Sequence, residues 1–198
     1  MDMSKLQRQV EFLVEVDKLK QVLRNTLLMD TSRLENDAEH SWHMALAAMV
    51  LAEHSNDQKL DMLKVIKMII IHDLVEIDAG DTFAYDPQGH LDKAERETRA
   101  ADRIFGLLPQ ELGDEFRSLW DDFEHKGTPE AKFANALDSF MPILHNYHTE
   151  GRQWQLHGMD SRRVLSRNAE RIEEGSRVLA DYIREIVEDG VVRGYLPG

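Results

Sequence analysis

A histidine and an aspartate stand side by side at the end of an apolar run, Ile69-Ile70-Ile71-His72-Asp73-Leu74-Val75-Glu76. Imidazole and carboxylate together suit a borderline divalent ion such as Mn, Fe, Co, Ni or Zn, and here they occupy positions where core residues belong. Chance supplies many His-Asp dipeptides, so the weight lies in the company this one keeps. Upstream is Glu39-His40-Ser41-Trp42-His43, and downstream is Asn135-Ala136-Leu137-Asp138. Residues three and four apart share a helix face, so His40 projects with His43, and Glu76 with both His72 and Asp73. Spacing alone does not choose between His40 and His43 as a ligand. His145 and His148 repeat that spacing with no His-Asp nearby, which leaves the second pair outside the expected site.

The elements that must carry these groups read as helices almost throughout. Leu6, Val10, Leu13, Val14, Leu19 and Val22 follow a loose helical period. A second helix starts near Asp37, a plausible N-cap, and runs to about His54. A third spans about Leu60 to Ile77 and stops near Gly80. Asp81 to Gly89, with Asp86 and Pro87, reads as a loop. Further helices are expected over Lys93–Leu107, Gln110–Glu124, Pro129–His148 and Ser161–Glu188, divided by turn signals at Pro109, Gly113, Gly127 and Gly151. Pro142 inside the sixth is a potential kink. No run of β-branched residues alternates at period two, and there is no repeat or linker. The expectation is one all-α domain over residues 1–198, with about six to seven helices.

Composition narrows the function classes. The 198 residues suffice for one domain with a sizeable core. No stretch approaches the roughly 20 apolar residues of a membrane span, and Met1-Asp2-Met3-Ser4-Lys5 lacks a secretory pattern. Cysteine is absent, which excludes zinc–thiolate sites and is compatible with a reducing, cytoplasmic setting. The net charge of −13 argues against nucleic acid as a partner, because duplex binding rests on Lys and Arg contacts to phosphate. A small phosphorylated substrate is compatible if a local basic patch and a cation offset the repulsion.

Arg24, the run Glu35-Asn36-Asp37-Ala38-Glu39-His40-Ser41, His72-Asp73-Leu74-Val75-Glu76 with Gly80-Asp81, and Asp138 together resemble the HD-domain phosphohydrolases. The nearer match is the subgroup that includes the 5′-deoxynucleotidases, over roughly residues 18 to 150. The resemblance implies an HD-type helical bundle, a homodimer, and one divalent metal ion (Mn, Co, Fe, Ni, Zn or Mg) on His40, His72, Asp73 and Asp138. It implies catalytic roles for Glu76 and Asp81 and places Arg24, on the first helix, against the substrate phosphate. Arg33 competes for the phosphate role, and His43 is left behind the ligand or facing the substrate. The subgroup has a Trp directly after that Arg, whereas this chain has Asn25, so sugar and base preference stay open. The implied activity is release of phosphate from nucleoside 5′-monophosphates. The alternatives are an HD hydrolase of di- and triphosphates or modified nucleotides, and a non-catalytic helical module. Trp42, Trp120 and Trp154 read as packing residues, Trp154 near Gly151-Arg152 at the border of a pocket.

Overall fold

The computed structural model of the chain describes residues 3–82, 88, 89 and 91–198. The central part of the expected 81–89 loop, including Asp86 and Pro87, lies outside the described residues. The long helices are α1 (Met3–Val16), α2 (Asp37–Leu51), α3 (Met62–Ile71), α5 (Lys93–Phe105), α6 (Gln110–His125), α7 (Pro129–His148), α9 (Ser161–Gly175) and α10 (Arg177–Arg193). Two short helices, α4 (Glu76–Ala79) and α8 (Arg152–Leu156), complete the set among the described residues. The all-α expectation holds, with one addition: β1 (Leu23–Leu27) and β2 (Leu34–Asn36) form a small antiparallel pair.

Each departure from the expected boundaries has a local cause. The second helix is capped by Asn36 rather than Asp37. Asn36 Oδ1 accepts from the Glu39 N–H at 3.0 Å, and the Glu39 carboxylate accepts from the Asn36 N–H at 3.3 Å, a reciprocal capping box. Asp37 is thereby freed to point inward. The expected helix over Ser161–Glu188 breaks at Ser176, whose extended backbone ends α9. Its Oγ accepts from the Leu179 N–H at 3.1 Å and donates to the His54 carbonyl at 2.6 Å, so one hydroxyl caps α10 and ties it to the 3₁₀ turn Ala52–His54 that follows α2. That break raises the expected seven long helices to eight.

Helix α7 is the hub: it packs on α2, α3, α6, α9 and α10. Its buried residues include Phe133, Ala134, Ala136, Leu137, Phe140, Met141 and Ile143, a stripe wide enough to face several helices at once. Gly175 lets α9 cross α7 closely, since a Cβ there would stand 2.4 Å from the Lys132 carbonyl oxygen and 2.6 Å from the Ala136 Cβ. Helix α7 runs through Pro142 as one element. The proline ring lacks the N–H that would bond the carbonyl of Asp138, four residues earlier.

Candidate metal centre and adjoining cavities

The His-Asp pair sits where α3 tightens. After Ile71 the chain makes a 3₁₀ turn over His72–Val75 before α4 begins at Glu76. The expected unbroken helix over Leu60–Ile77 is therefore three pieces. His72 Nδ1 lies 2.7 Å from the Ile69 carbonyl oxygen, occupying an acceptor to which an unbroken α-helix would send the Asp73 N–H. In a 3₁₀ turn residues i and i+3 eclipse, which sets Asp73 over Glu76. Asp37, Asp73 and Glu76 present ligand atoms within 4.8 Å of one another, as do His40, His72 and Asp73.

Three elements converge on this point. His40 comes from α2, His72 and Asp73 from the 3₁₀ turn, and Asp138 from α7. His40 Nε2 is 3.2 Å from Asp138 Oδ1, and His72 Nε2 is 3.9 Å from the same oxygen and 3.1 Å from Asp73 Oδ1. The Ile69 carbonyl can only accept, so His72 Nδ1 carries a proton there, and the tautomer that a metal ligand needs has its Nε2 lone pair toward carboxylate oxygens. That buried Nε2 makes no hydrogen bond among the described residues. A lone pair facing two anionic oxygens is repulsive unless a cation lies between them.

Charge points the same way. Arg24 donates to Asp37 Oδ1 at 3.0 Å and to Asp73 Oδ2 at 2.9 Å, with Asp138 Oδ1 at 4.0 Å. It also feels Glu76 and Asp81, so one guanidinium faces five carboxylates. Burial, and then the Asp73 charge, push Asp37 up to about 7. Burial also pushes Glu76 well above the usual carboxylate range and raises Asp81. Burial and the Arg24 charge pull His40 down, but hydrogen bonds to Asp138 and Glu35 prevail and lift it to about 9. Burial pushes Asp138 up as well, yet the His40 hydrogen bond and the charges of His72, His40 and Arg24 hold it well below its ordinary value. Surplus carboxylates sharing protons, with an orphaned imidazole nitrogen among them, form a donor set that fits a divalent cation.

Arg24 reaches the cluster from a strand. The expected first helix ends at Val16, a 3₁₀ turn covers Asp17–Gln21, and β1 carries Arg24 beneath α2. Arg33 is not brought to the cluster: exposed, it forks onto Glu39 at 2.8 and 2.5 Å. His43 lies one turn away with its Nδ1 3.4 Å from His145 Nε2. His145, expected outside the site, is buried behind it, and its partner in spacing, His148, is exposed. Glu35 links the two groups, with Oε2 3.5 Å from His40 Nδ1 and Oε1 3.8 Å from His145 Nε2. Neither Glu35 nor Asp37 was expected to serve the site, although both stand in the motif run, and their buried carboxylates are tertiary facts. Trp154 is buried on α8 and does line a cavity; Trp42, expected to pack, is exposed.

Two cavities share Arg24, Asp81 and Asp138. The first, about 370 Å³, reaches His72, Asp73 and Glu76 and is rimmed by Lys93, Lys126, Arg167 and Arg171. These cations supply the basic patch that an anionic substrate needs against the overall charge. Lys126 ends α6 with a left-handed φ of 56°, and burial together with the Arg171 charge lowers its proton affinity. The second cavity runs from Arg24 and Asn25 past Ile143 and Asn146 to Gln153, Trp154 and Met159. The structure thus offers a charged chamber at the His-Asp cluster and an adjoining chamber of apolar, amide and charged side chains, with Arg167 and Arg171 lining both.

Known proteins share these features. Residues 16–180 match the HD domain family model. The chain is 32% identical over 136 residues to proteins named 5′-deoxynucleotidase HDDC2 from Xenopus laevis and Homo sapiens, covering 68% of this chain and 66% and 65% of those relatives. It thus spans slightly less than two thirds of their length. A Dictyostelium discoideum protein of the same name is 31% identical over 152 residues, 74% of this chain and 80% of its own. A crystal structure from Magnetospirillum magnetotacticum MS-1, described as a predicted metal-dependent phosphohydrolase, superposes with a TM-score of 0.93 at 50% identity over 98% of this chain and 97% of that one. A conserved hypothetical protein from Pyrococcus furiosus shares the fold at TM-score 0.63 and 24% identity, covering 91% of this chain and 98% of that one.

Proposed function

This chain belongs to the HD-domain family, and from that premise we propose that it is a metal-dependent phosphohydrolase releasing phosphate from nucleoside 5′-monophosphates. The observation that carries the reading is the buried His72 Nε2 facing Asp73 and Asp138 beside the His40–Asp138 pair. His40, His72, Asp73 and Asp138 would hold one divalent ion. Such an ion supplies Lewis-acid stabilisation of phosphate charge and lowers the pKa of water to a useful range.

The protein's own groups do the rest. Arg24, charged and anchored by Asp37 and Asp73, neutralises the phosphate in a bidentate manner suited to its planar fork. Glu76 lines only the charged chamber, whereas Asp81 lines both. That seam is where the bond between phosphorus and the nucleoside 5′-oxygen would lie. Asp81, its proton affinity raised by burial, therefore gives its proton to the departing 5′-oxygen. With a cation bound beside it, Glu76 would be ionised despite its burial, and as a carboxylate it takes the proton of the attacking water. The water oxygen bonds to phosphorus, the P–O5′ bond breaks, and nucleoside and inorganic phosphate leave.

A homodimer accompanies this reading. Trp42, Leu46, Met49 and Val50 are exposed on α2 while its Met44, Ala45 and Ala48 are buried. A helix apolar on both faces is ordinarily covered on both, and a second copy is the simplest cover. Sedimentation velocity should give a dimer, and Met49→Glu with Val50→Glu should give monomer.

The rim of Lys93, Lys126, Arg167 and Arg171 favours a second reading, a substrate with more than one phosphate. Incubating the protein with Mn and nucleoside mono-, di- and triphosphates separates the two. The first reading expects inorganic phosphate from monophosphates only. Turnover confined to triphosphates, with pyrophosphate or triphosphate released, would replace it with the second.

A further inference from the structure

We propose that Glu35, His43 and His145 form a second cation site, apart from the cluster of His40, His72, Asp73 and Asp138, for a nitrogen-preferring divalent ion of the zinc class. Three elements build it: Glu35 comes from β2, His43 from α2 and His145 from α7. Their ligand atoms lie within 4.8 Å of one another. The site goes beyond the hydrolase reading and does not depend on it.

The three groups are gathered about a shared centre rather than bonded to each other. His145 Nε2 is 3.4 Å from His43 Nδ1 and 3.8 Å from Glu35 Oε1. Both separations exceed the roughly 2.7–3.2 Å of a well-made hydrogen bond. Nitrogens about 2.0–2.1 Å from a tetrahedral zinc ion stand about 3.4 Å apart, so the spacing of the two imidazoles already fits. The Glu35 edge would close by a small side-chain rotation.

His145 is held as a ligand is held. Its Nδ1 lies 2.9 Å from the Leu27 carbonyl oxygen, which can only accept, so that nitrogen carries a proton and Nε2 is the end left to coordinate. Metal-bound histidines ordinarily donate their other N–H to such an acceptor, and His72 stands in the same relation to the Ile69 carbonyl. Glu35 supplies the charge. It is 2% exposed, and its ion-pair partners among the described residues are the imidazoles of His40 and His145, with no Lys or Arg. Burying a carboxylate is costly unless a cation offsets it. Glu35 and His145 are buried and His43 is half-buried, so an ion would enter past His43. Two imidazoles and a single carboxylate rank zinc, nickel, copper and cobalt above manganese. Manganese therefore counts the first cluster alone, whereas zinc counts both sites.

The test dialyses chelator-stripped wild type, His43→Ala, His72→Ala and the double variant against zinc and, separately, manganese, and counts the retained metal by elemental analysis. Wild type should hold two zinc ions but one manganese, each single variant one zinc, and the double variant none. Cobalt(II) added to His72→Ala should give the intense visible absorption of a four-coordinate ion, and the double variant should lack it. Zinc should raise the melting temperature of His72→Ala and leave that of the double variant unmoved, while equal metal-free melting temperatures show that His43→Ala leaves the fold intact. A wild-type count of one zinc, lost in His72→Ala and kept in His43→Ala, overturns the second site and keeps the first cluster. One zinc kept in His72→Ala and lost in His43→Ala supports the second site and removes the first. Zinc that persists in the double variant without the cobalt absorption overturns the second site.

Discussion

Replacing Glu35 should loosen the metal without touching a metal ligand. Glu35 is only 2% exposed, and its Oε2 lies 3.5 Å from His40 Nδ1. If His40 coordinates through Nε2, the neutral ring must carry its proton on Nδ1, and the Glu35 carboxylate, facing Nδ1 at 3.5 Å, favours that tautomer by its charge. A full unit charge at about 3.5 Å is worth roughly 5 kcal/mol at an effective dielectric near 20, which sets a ceiling. Substitutions of such outer partners ordinarily weaken metal binding about 10–100-fold. Glu35→Gln keeps an acceptor oxygen and loses the charge, so it belongs near tenfold. Glu35→Ala removes both the charge and the buried side chain that faces His40 and His145, and belongs near a hundredfold. Calorimetric titration of Mn into chelator-stripped protein at fixed pH reads both, beside the metal-free melting temperature. Binding within twofold of wild type in both variants, with the fold intact, would refute the relay from Glu35 to His40.

Further outcomes follow from the same geometry. Asp37 at about 7 and His40 at about 9 are both raised in the metal-free site. The stability each contributes is therefore complete below its unfolded pKa and is lost as pH rises through the folded one. The metal-free melting temperature should fall from pH 5 to pH 9, and Asp37→Asn should flatten the lower half; a wild-type curve that rises over that window contradicts the assignment. Glu76→Gln should keep metal binding within a few fold while cutting kcat by about 100-fold or more, and full turnover would remove its role as base. Asp81→Asn should slow nucleotide hydrolysis similarly but spare p-nitrophenyl phosphate, whose leaving group needs no proton, so equal losses on both substrates would count against a proton donor. Gly175→Ala should cost about 1–3 kcal/mol by overpacking the α7–α9 crossing, read as a melting temperature lower by several degrees.

Most of the candidate metal cluster was legible because its side chains interrupt apolar faces, while the choice of His40 over His43 came from the family resemblance. His72 and Asp73 end a run of isoleucines, and Asp138 ends the Phe133–Leu137 stripe, so pattern alone marks them as misplaced for a core. The long helices were legible for the same reason, since their buried stripes repeat at 3.6 residues. What escaped is governed by single side chains or by distant ones. Leu23-Arg24-Asn25-Thr26-Leu27 has no alternation, and it is extended because β2 pairs with it, which moved Arg24 from a helix to a strand. Ser176 breaks a helical period that continues on both sides of it, through one hydroxyl bonded to His54. Asp37 yielded the cap to Asn36 because the Glu39 side chain reaches back to that residue. Neither the place of Glu35 in the motif run nor the spacing of His145 told that they meet: that follows from the docking of α7 on the β pair, where His145 Nδ1 also lies 2.9 Å from the Leu27 carbonyl oxygen.

The central claim is that His40, His72, Asp73 and Asp138 hold a metal used to hydrolyse a nucleotide phosphoester. The most direct test measures Mn binding and phosphate release from 5′-mononucleotides on the same samples of wild type and His72→Ala. The account predicts one tightly bound ion per chain in the wild type with metal-dependent release of phosphate. In the variant, both should be lost together. Phosphate release that survives in His72→Ala, or in wild type stripped of metal, would contradict it.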